Sequence, residues 1–79
     1  MIELTDEIIN QVDTLLDDFA LPAVEIGMAA AYGENMPKRY INDNILIEYY
    51  NGIKEGKTSD EMRKICLPNY IRRELNKNN

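Results

Sequence analysis

The sequence predicts an all-α fold, a compact bundle of about five short helices in a single domain over residues 1–79. Apolar residues recur at three- and four-residue steps along most of the chain, and no alternating apolar run is flanked by hairpin turns. Capping residues, glycines and prolines separate the apolar segments at intervals typical of short helices. With 79 residues, of which 44% are hydrophobic, the chain can build one small core.

Two helices are predicted in the first part of the chain. Thr5 is the candidate N-cap of a helix over residues 5–20, followed by acids where the helix dipole favours negative charge. Pro22 suits the first turn of a second helix, which Gly33 ends. Together they predict a helical hairpin over residues 5–32. The predicted inward residues are Ile8, Ile9, Val12, Leu15, Leu16 and Phe19, then Val24, Met28, Ala31 and Tyr32.

A third helix is predicted after a connecting loop over residues 34–40. Asn42 or Asp43 is its N-cap, because short polar side chains accept hydrogen bonds from free backbone N–H groups. Gly56 is placed to stop it. Its predicted inward residues are Leu46, Tyr49, Tyr50 and Ile53.

The last two helices are predicted on either side of a proline. Thr58 and Glu61 form a capping box at the start of the fourth helix. Leu67-Pro68 ends that helix, because a residue before proline is disfavoured in the helical region. The fifth helix starts near Pro68, and residues 76–79 are expected to fray. The predicted inward residues are Met62, Ile65, Cys66, Ile71 and Leu75.

Residue usage argues against an enzyme. The chain has no histidine, one serine and no glycine-rich phosphate loop. Its one cysteine, Cys66, allows no internal disulfide and no cysteine-rich zinc site, and we expect it to be a buried core residue. We therefore expect no catalytic residues, no metal, no cofactor and no small-molecule substrate.

No segment is expected to enter a membrane. The longest apolar-rich run, over residues 21–32, includes Glu25 and is too short to span a bilayer. The N-terminal residues lack the basic start and hydrophobic stretch of a signal peptide. The sequence thus predicts a cytoplasmic protein with no membrane partner.

Charge is distributed unevenly along the chain. Residues 1–37 contain eight acids and no bases, whereas residues 38–79 contain nine bases and six acids. The first part therefore carries −8 and the second +3, within a net charge of −5. Such separation bears on the choice of partner more than on the fold.

The C-terminal segment combines a glycine-containing turn, a capped helix, a Leu-Pro break and a basic helix. The turn and the capped helix read Glu55-Gly56-Lys57-Thr58-Ser59-Asp60-Glu61-Met62, and the basic helix follows as Leu67-Pro68-Asn69-Tyr70-Ile71-Arg72-Arg73-Glu74-Leu75. This order resembles the helix-turn-helix DNA-binding module of small regulators, over residues 45–77. The resemblance implies that the helix from Pro68 is the recognition helix. The turn at Cys66-Leu67-Pro68 is shorter than the family's, which changes the angle between the two helices.

The resemblance implies a set of DNA contacts. Asn69, Arg72, Arg73 and Asn76 follow the spacing of one helix face, which we expect to point outward, and Arg and Asn suit guanine and adenine edges. Phosphates are expected to meet a second set: Arg63, Lys64, Tyr70 and Lys77. The leading hypothesis is therefore a small DNA-binding regulator, for which a homodimer would match paired half-sites.

The alternative hypothesis is a helical protein-interaction module or inhibitor with no nucleic-acid binding. Asp6, Asp13 and Asp17 form an acidic stripe on the first helix that could meet a basic protein surface. The same acids could attract the basic part of a second copy and give a homodimer. The simpler interpretation is that these acids only keep one helix face in water.

Overall fold

A computed structural model describes residues 5–77 of the chain. It contains three α-helices: α1 (Asp6–Ala31), α2 (Asn44–Lys54) and α3 (Ser59–Lys77). A single 3-10 turn, Lys38–Tyr40, lies in the connection between α1 and α2. The predicted all-α class is confirmed, but the described residues form three helices and not five.

The predicted boundary at Pro22 is wrong, because α1 passes through this residue without a break. Pro22 has no N–H group, so one backbone hydrogen bond is lost, at a typical cost of about 3 kcal/mol. The packing that continues on both sides offsets this loss. Buried apolar residues keep helical spacing across the proline, at Leu15, Phe19, Ala23, Ile26 and Ala30. The predicted helical hairpin over residues 5–32 is therefore one helix.

The predicted break at Leu67-Pro68 is also wrong, because α3 is continuous from Ser59 to Lys77. Pro68 is exposed, so the carbonyl that it leaves without an N–H partner lies on the solvent side. Met62, Cys66 and Tyr70 continue in register along the inner face. Consequently no turn separates a recognition helix from the helix before it. Of the residues expected to fray, 76 and 77 belong to α3, while 78 and 79 lie outside the described residues.

The predicted helix starts are confirmed at Thr5 and Thr58. The backbone N–H of Ile8 donates to the Thr5 hydroxyl over 3.2 Å. The backbone N–H of Glu61 donates to the Thr58 hydroxyl over 3.1 Å, and that hydroxyl in turn donates to the Glu61 carboxylate. Each hydroxyl satisfies one of the N–H groups that a helix start leaves without an intrahelical partner.

The predicted helix stops are confirmed at Gly33 and Gly56. Their φ angles are +73° and +100°, in the left-handed region that favours glycine. After Gly56, the backbone N–H of Lys57 returns to the carbonyl of Gly52 over 3.0 Å. This bond closes the tight corner between α2 and α3.

The core lies where all three helices meet. Phe19 is 2% exposed and contacts two tyrosines, with ring centroids 5.9 Å from Tyr49 and 5.3 Å from Tyr70. Gly52 leaves room for the Met62 side chain of α3, because a Cβ atom there would overlap the Met62 sulfur. The remaining buried members of this cluster are Ala23, Ile26, Ala29, Ala30, Leu46, Tyr50 and Cys66.

Several residues expected to point inward are exposed. In the second half of α1, the buried residues are Ala23, Ile26, Ala29 and Ala30, whereas the predicted inward face is left to solvent. This half of α1 is apolar on two sides, and the side with more small residues allows the closer approach of another helix. The predicted inward residues that are exposed are Ile9, Leu16, Val24, Met28, Ala31, Tyr32 and Ile65.

Candidate binding groove

An apolar groove runs between the exposed side of α1 and the corner that joins α2 to α3. Its volume is about 710 Å³. Three buried core residues, Phe19, Ala23 and Tyr49, form its floor. Burial raises the pKa of the Tyr49 phenol, in keeping with an apolar floor.

One wall of the groove is the exposed apolar side of α1. Val24, Met28 and Tyr32 are 62%, 55% and 73% exposed, and Leu16 extends the same wall toward the N-terminus. Single exposed apolar residues are normal on a protein surface, but these four form a contiguous set beside a groove. Small side chains, Ala20 and Ala31, lie between the larger ones and leave hollows in this wall.

The opposite wall is polar and basic. Lys57 and Arg63 line it together with Ser59 and the partly buried Ile53. Both bases are exposed, and among residues 5–77 neither takes part in a salt bridge. The groove therefore has an apolar wall, an apolar floor and a rim on which two basic residues lie.

The acidic stripe predicted on the first helix continues the exposed wall of the groove. Asp6, Asp13 and Asp17 are all exposed. Asp13 and Asp17 lie on the same side of α1 as Ala20 and Val24, because the steps between them are four, three and four residues. This side of α1 is acidic in its first half and apolar in its second.

The four residues predicted to contact DNA bases do not all lie on the same face of α3. Asn69, Arg72 and Asn76 are exposed on one face of α3, where the Arg72 guanidinium donates to the Asn69 side-chain oxygen over 3.1 Å. The expectation that Arg73 shares this outward face is wrong. Its guanidinium is directed at Asp43, the residue before α2.

Arg73 and Asp43 form a two-pronged ion pair. The two terminal nitrogens of Arg73 donate to the two Asp43 carboxylate oxygens over 2.7 and 3.0 Å. Asp43 also accepts from the N–H groups of Ile45 and Leu46, so it is the N-cap of α2. Burial alone would raise the pKa of the Asp43 carboxyl, but these hydrogen bonds outweigh burial and lower its pKa. The hydrogen bond to Asp43 raises the pKa of Arg73.

The residues predicted to contact phosphates do not form one surface. Arg63 lies on the rim of the apolar groove, whereas Lys64 is exposed elsewhere on α3. Tyr70 is half-buried against Phe19, and burial raises the pKa of its phenol. The Lys77 ammonium lies 3.0 Å from the Glu74 carboxylate.

The exposed wall of α1 was missed by the sequence argument, although the sequence carries a signal for it. Between Phe19 and Tyr32 the sequence has one charged residue, Glu25, so apolar residues cover more than the one stripe that a core needs. When a helix is apolar on two sides, packing against the core buries one side and leaves the other exposed.

The described residues offer neither a metal site nor a membrane span. Among residues 5–77, no three His, Cys, Asp or Glu side chains are grouped so that they could hold a metal ion. No helix in this range is long and apolar enough to cross a membrane. Comparison of the chain with protein-family models, with curated proteins and with solved structures gave no match.

Proposed function

We propose that the protein is a helical protein-interaction module whose contact surface is the apolar groove. The observation that carries this proposal is the row of exposed apolar side chains on α1, at Leu16, Val24, Met28 and Tyr32. Burying one such side chain contributes about 1.5–3 kcal/mol, so a partner that covers several of them gains a large part of its binding energy. The surface differs from the acidic stripe that the sequence singles out, although the two adjoin on α1.

Site-specific photo-crosslinking in the cells that make the protein tests this function. A benzophenone amino acid at Met28 or Tyr32 should give covalent protein adducts. The control is Ile65, which is exposed on α3 but does not line the groove. We expect no adducts from that position. Equal adducts from Ile65, or none from Met28 and Tyr32, would contradict the proposal.

DNA binding is the second candidate function, and the exposed face of α3 favours it. Asn69, Arg72 and Asn76 present side chains of the types that read base edges. Against it, Arg73 is held by Asp43, and the first turn of α3 carries acids at Asp60 and Glu61 that would repel phosphates. The geometry therefore favours the interaction module.

A DNA titration tests the second candidate. If α3 reads DNA, fluorescence anisotropy with mixed genomic fragments should show saturable binding that weakens steeply with salt. Arg72→Ala should then weaken binding by about 1–3 kcal/mol, because it removes a base contact. The matched control is Lys54→Ala, on a different helix. Absence of binding at low salt, or an unchanged affinity for Arg72→Ala, would exclude this function.

A further inference from the structure

We propose that the occupant of the groove is a second copy of this chain, docked through an antiparallel pairing of the two α1 helices. This inference rests on the proposed function and names its partner. The choice of a second copy follows from the side chains that any occupant of the groove must present. The groove requires an apolar ridge that covers Val24 and Met28. It also requires acids that meet Lys57 and Arg63, which form no salt bridge within residues 5–77.

The chain's own α1 supplies both features on one side. Asp13, Asp17, Ala20, Val24 and Met28 follow one another at steps of three or four residues, so they share a face. The 26 residues of α1 correspond to a length of about 39 Å, which is enough to cover the groove from end to end. The same surface therefore serves as groove wall and as inserted ridge, as a two-fold interface requires.

The antiparallel direction matches large side chains with small ones. Suppose that the two-fold axis passes near Val24. A residue of α1 then lies level with a residue of the second copy that is equally far from Val24 along the chain, but on the other side of it. Ala20 then packs beside Met28, and Leu16 lies level with Tyr32 at the edge of the seam. The alanine leaves space for the longer methionine, and Val24 meets its own counterpart at the centre.

The same direction also matches the charges. The Tyr50 hydroxyl donates to the carbonyl of Glu34 over 2.6 Å, which holds the end of α2 beside the C-terminal end of α1. The corner with Lys57 and Arg63 follows directly, so these bases lie beside the second half of α1. An antiparallel second copy brings the acidic first half of its α1, with Asp17, to this end. Two equal sets of opposite charges result, one at each end of the interface.

A parallel pairing lacks this match, because Asp13 and Asp17 of both copies would lie side by side. Like charges at such positions oppose association. The uneven charge of the chain, −8 over residues 1–37 and +3 over residues 38–79, thus selects the antiparallel arrangement.

Charge reversal combined with mixing tests the dimer. The full chain should sediment as a dimer in analytical ultracentrifugation at low salt. Two variants, Asp13→Lys/Asp17→Lys and Lys57→Glu/Arg63→Glu, should each dimerise at least about tenfold more weakly, since every charge pair becomes repulsive. Mixed in equal amounts, they should form a heterodimer, because both ends of the interface again carry opposite charges. All four substituted residues are exposed, and circular dichroism confirms whether the helical content is kept.

A third substitution separates a docked groove from simple charge attraction. Val24→Glu placed in both variants should abolish the heterodimer, whereas Ile65→Glu, at an exposed apolar residue outside the groove, should leave it intact. A monomeric wild-type chain overturns the dimer, and so do variants that dimerise like the wild type. If the wild type is monomeric while groove crosslinks yield adducts heavier than two chains, the interaction module stands and only the second copy is excluded.

Discussion

Phe19→Ala is expected to lower the free energy of unfolding by about 3–5 kcal/mol, the typical cost of removing a buried phenylalanine. Phe19 is 2% exposed and contacts both Tyr49 and Tyr70, so its loss removes the ring that links α1 to the other two helices. A 79-residue domain has a total stability of about 4–12 kcal/mol. If the stability of the wild type lies at the lower end of this range, the substitution should leave a measurable unfolded fraction in the absence of denaturant.

Urea denaturation followed by circular dichroism measures this loss. Leu21→Ala is the matched control, because it removes a large side chain from the same helix at a residue that is 78% exposed. Its effect should stay within about 0.5 kcal/mol. A loss for Phe19→Ala as small as that of the control would mean that the three helices do not pack around this ring.

Asp43→Ala is expected to cost about 2–3 kcal/mol of stability at neutral pH. It removes the N-cap of α2, worth about 1 kcal/mol, and leaves the half-buried Arg73 without its two charge-assisted hydrogen bonds. Asn42→Ala is the control, because Asn42 is the neighbouring exposed residue that does not cap α2. Urea denaturation should show little change for this control. Similar losses for the two variants would contradict the role of Asp43.

The contribution of Asp43 should also depend on pH. The folded protein lowers the pKa of this carboxyl, so the folded state binds its proton less readily than the unfolded state. The stabilisation is complete above the unfolded pKa of about 3.9 and is lost as the pH falls through the folded value. The difference in stability between wild type and Asp43→Ala should therefore shrink in denaturation curves below about pH 4. If the difference in stability between the two proteins did not change with pH, the ion pair would contribute nothing to the free energy of unfolding.

Local features of the fold could be predicted from the sequence because they depend on neighbouring residues. Thr5 and Thr58 cap helices whose first turns follow them directly in the chain. Gly33 and Gly56 adopt positive φ angles because glycine lacks a Cβ atom, which does not depend on distant contacts. The all-α class follows from the spacing of apolar residues. The sequence left Asn42 and Asp43 as alternatives, because both residue types are good N-caps; the contact of Asp43 with Arg73, thirty residues away, is not visible in local sequence.

Helix continuity could not be predicted, because distant packing determines it. Pro22 and Pro68 each weaken a helix locally. Buried residues continue in register beyond Pro22, and the partly buried Tyr70 continues the inner face beyond Pro68. The exposed wall of α1 was missed for a related reason. Periodicity shows that apolar residues share a face, but it cannot decide which of two apolar faces α2 covers. Val24, which was predicted to point inward, is therefore exposed, and its neighbour Ala23 is buried instead.

The buried thiol of Cys66 has a consequence for oxidation of the protein. Burial raises its pKa to about 11, and the side chain is completely enclosed. At neutral pH only about one thiol in ten thousand is then in the reactive thiolate form. Oxidants and alkylating reagents can reach the thiol only when the helices separate. The rate at which this sulfur is modified therefore depends on how often the protein opens. The folded chain is thereby protected from oxidation at its only cysteine.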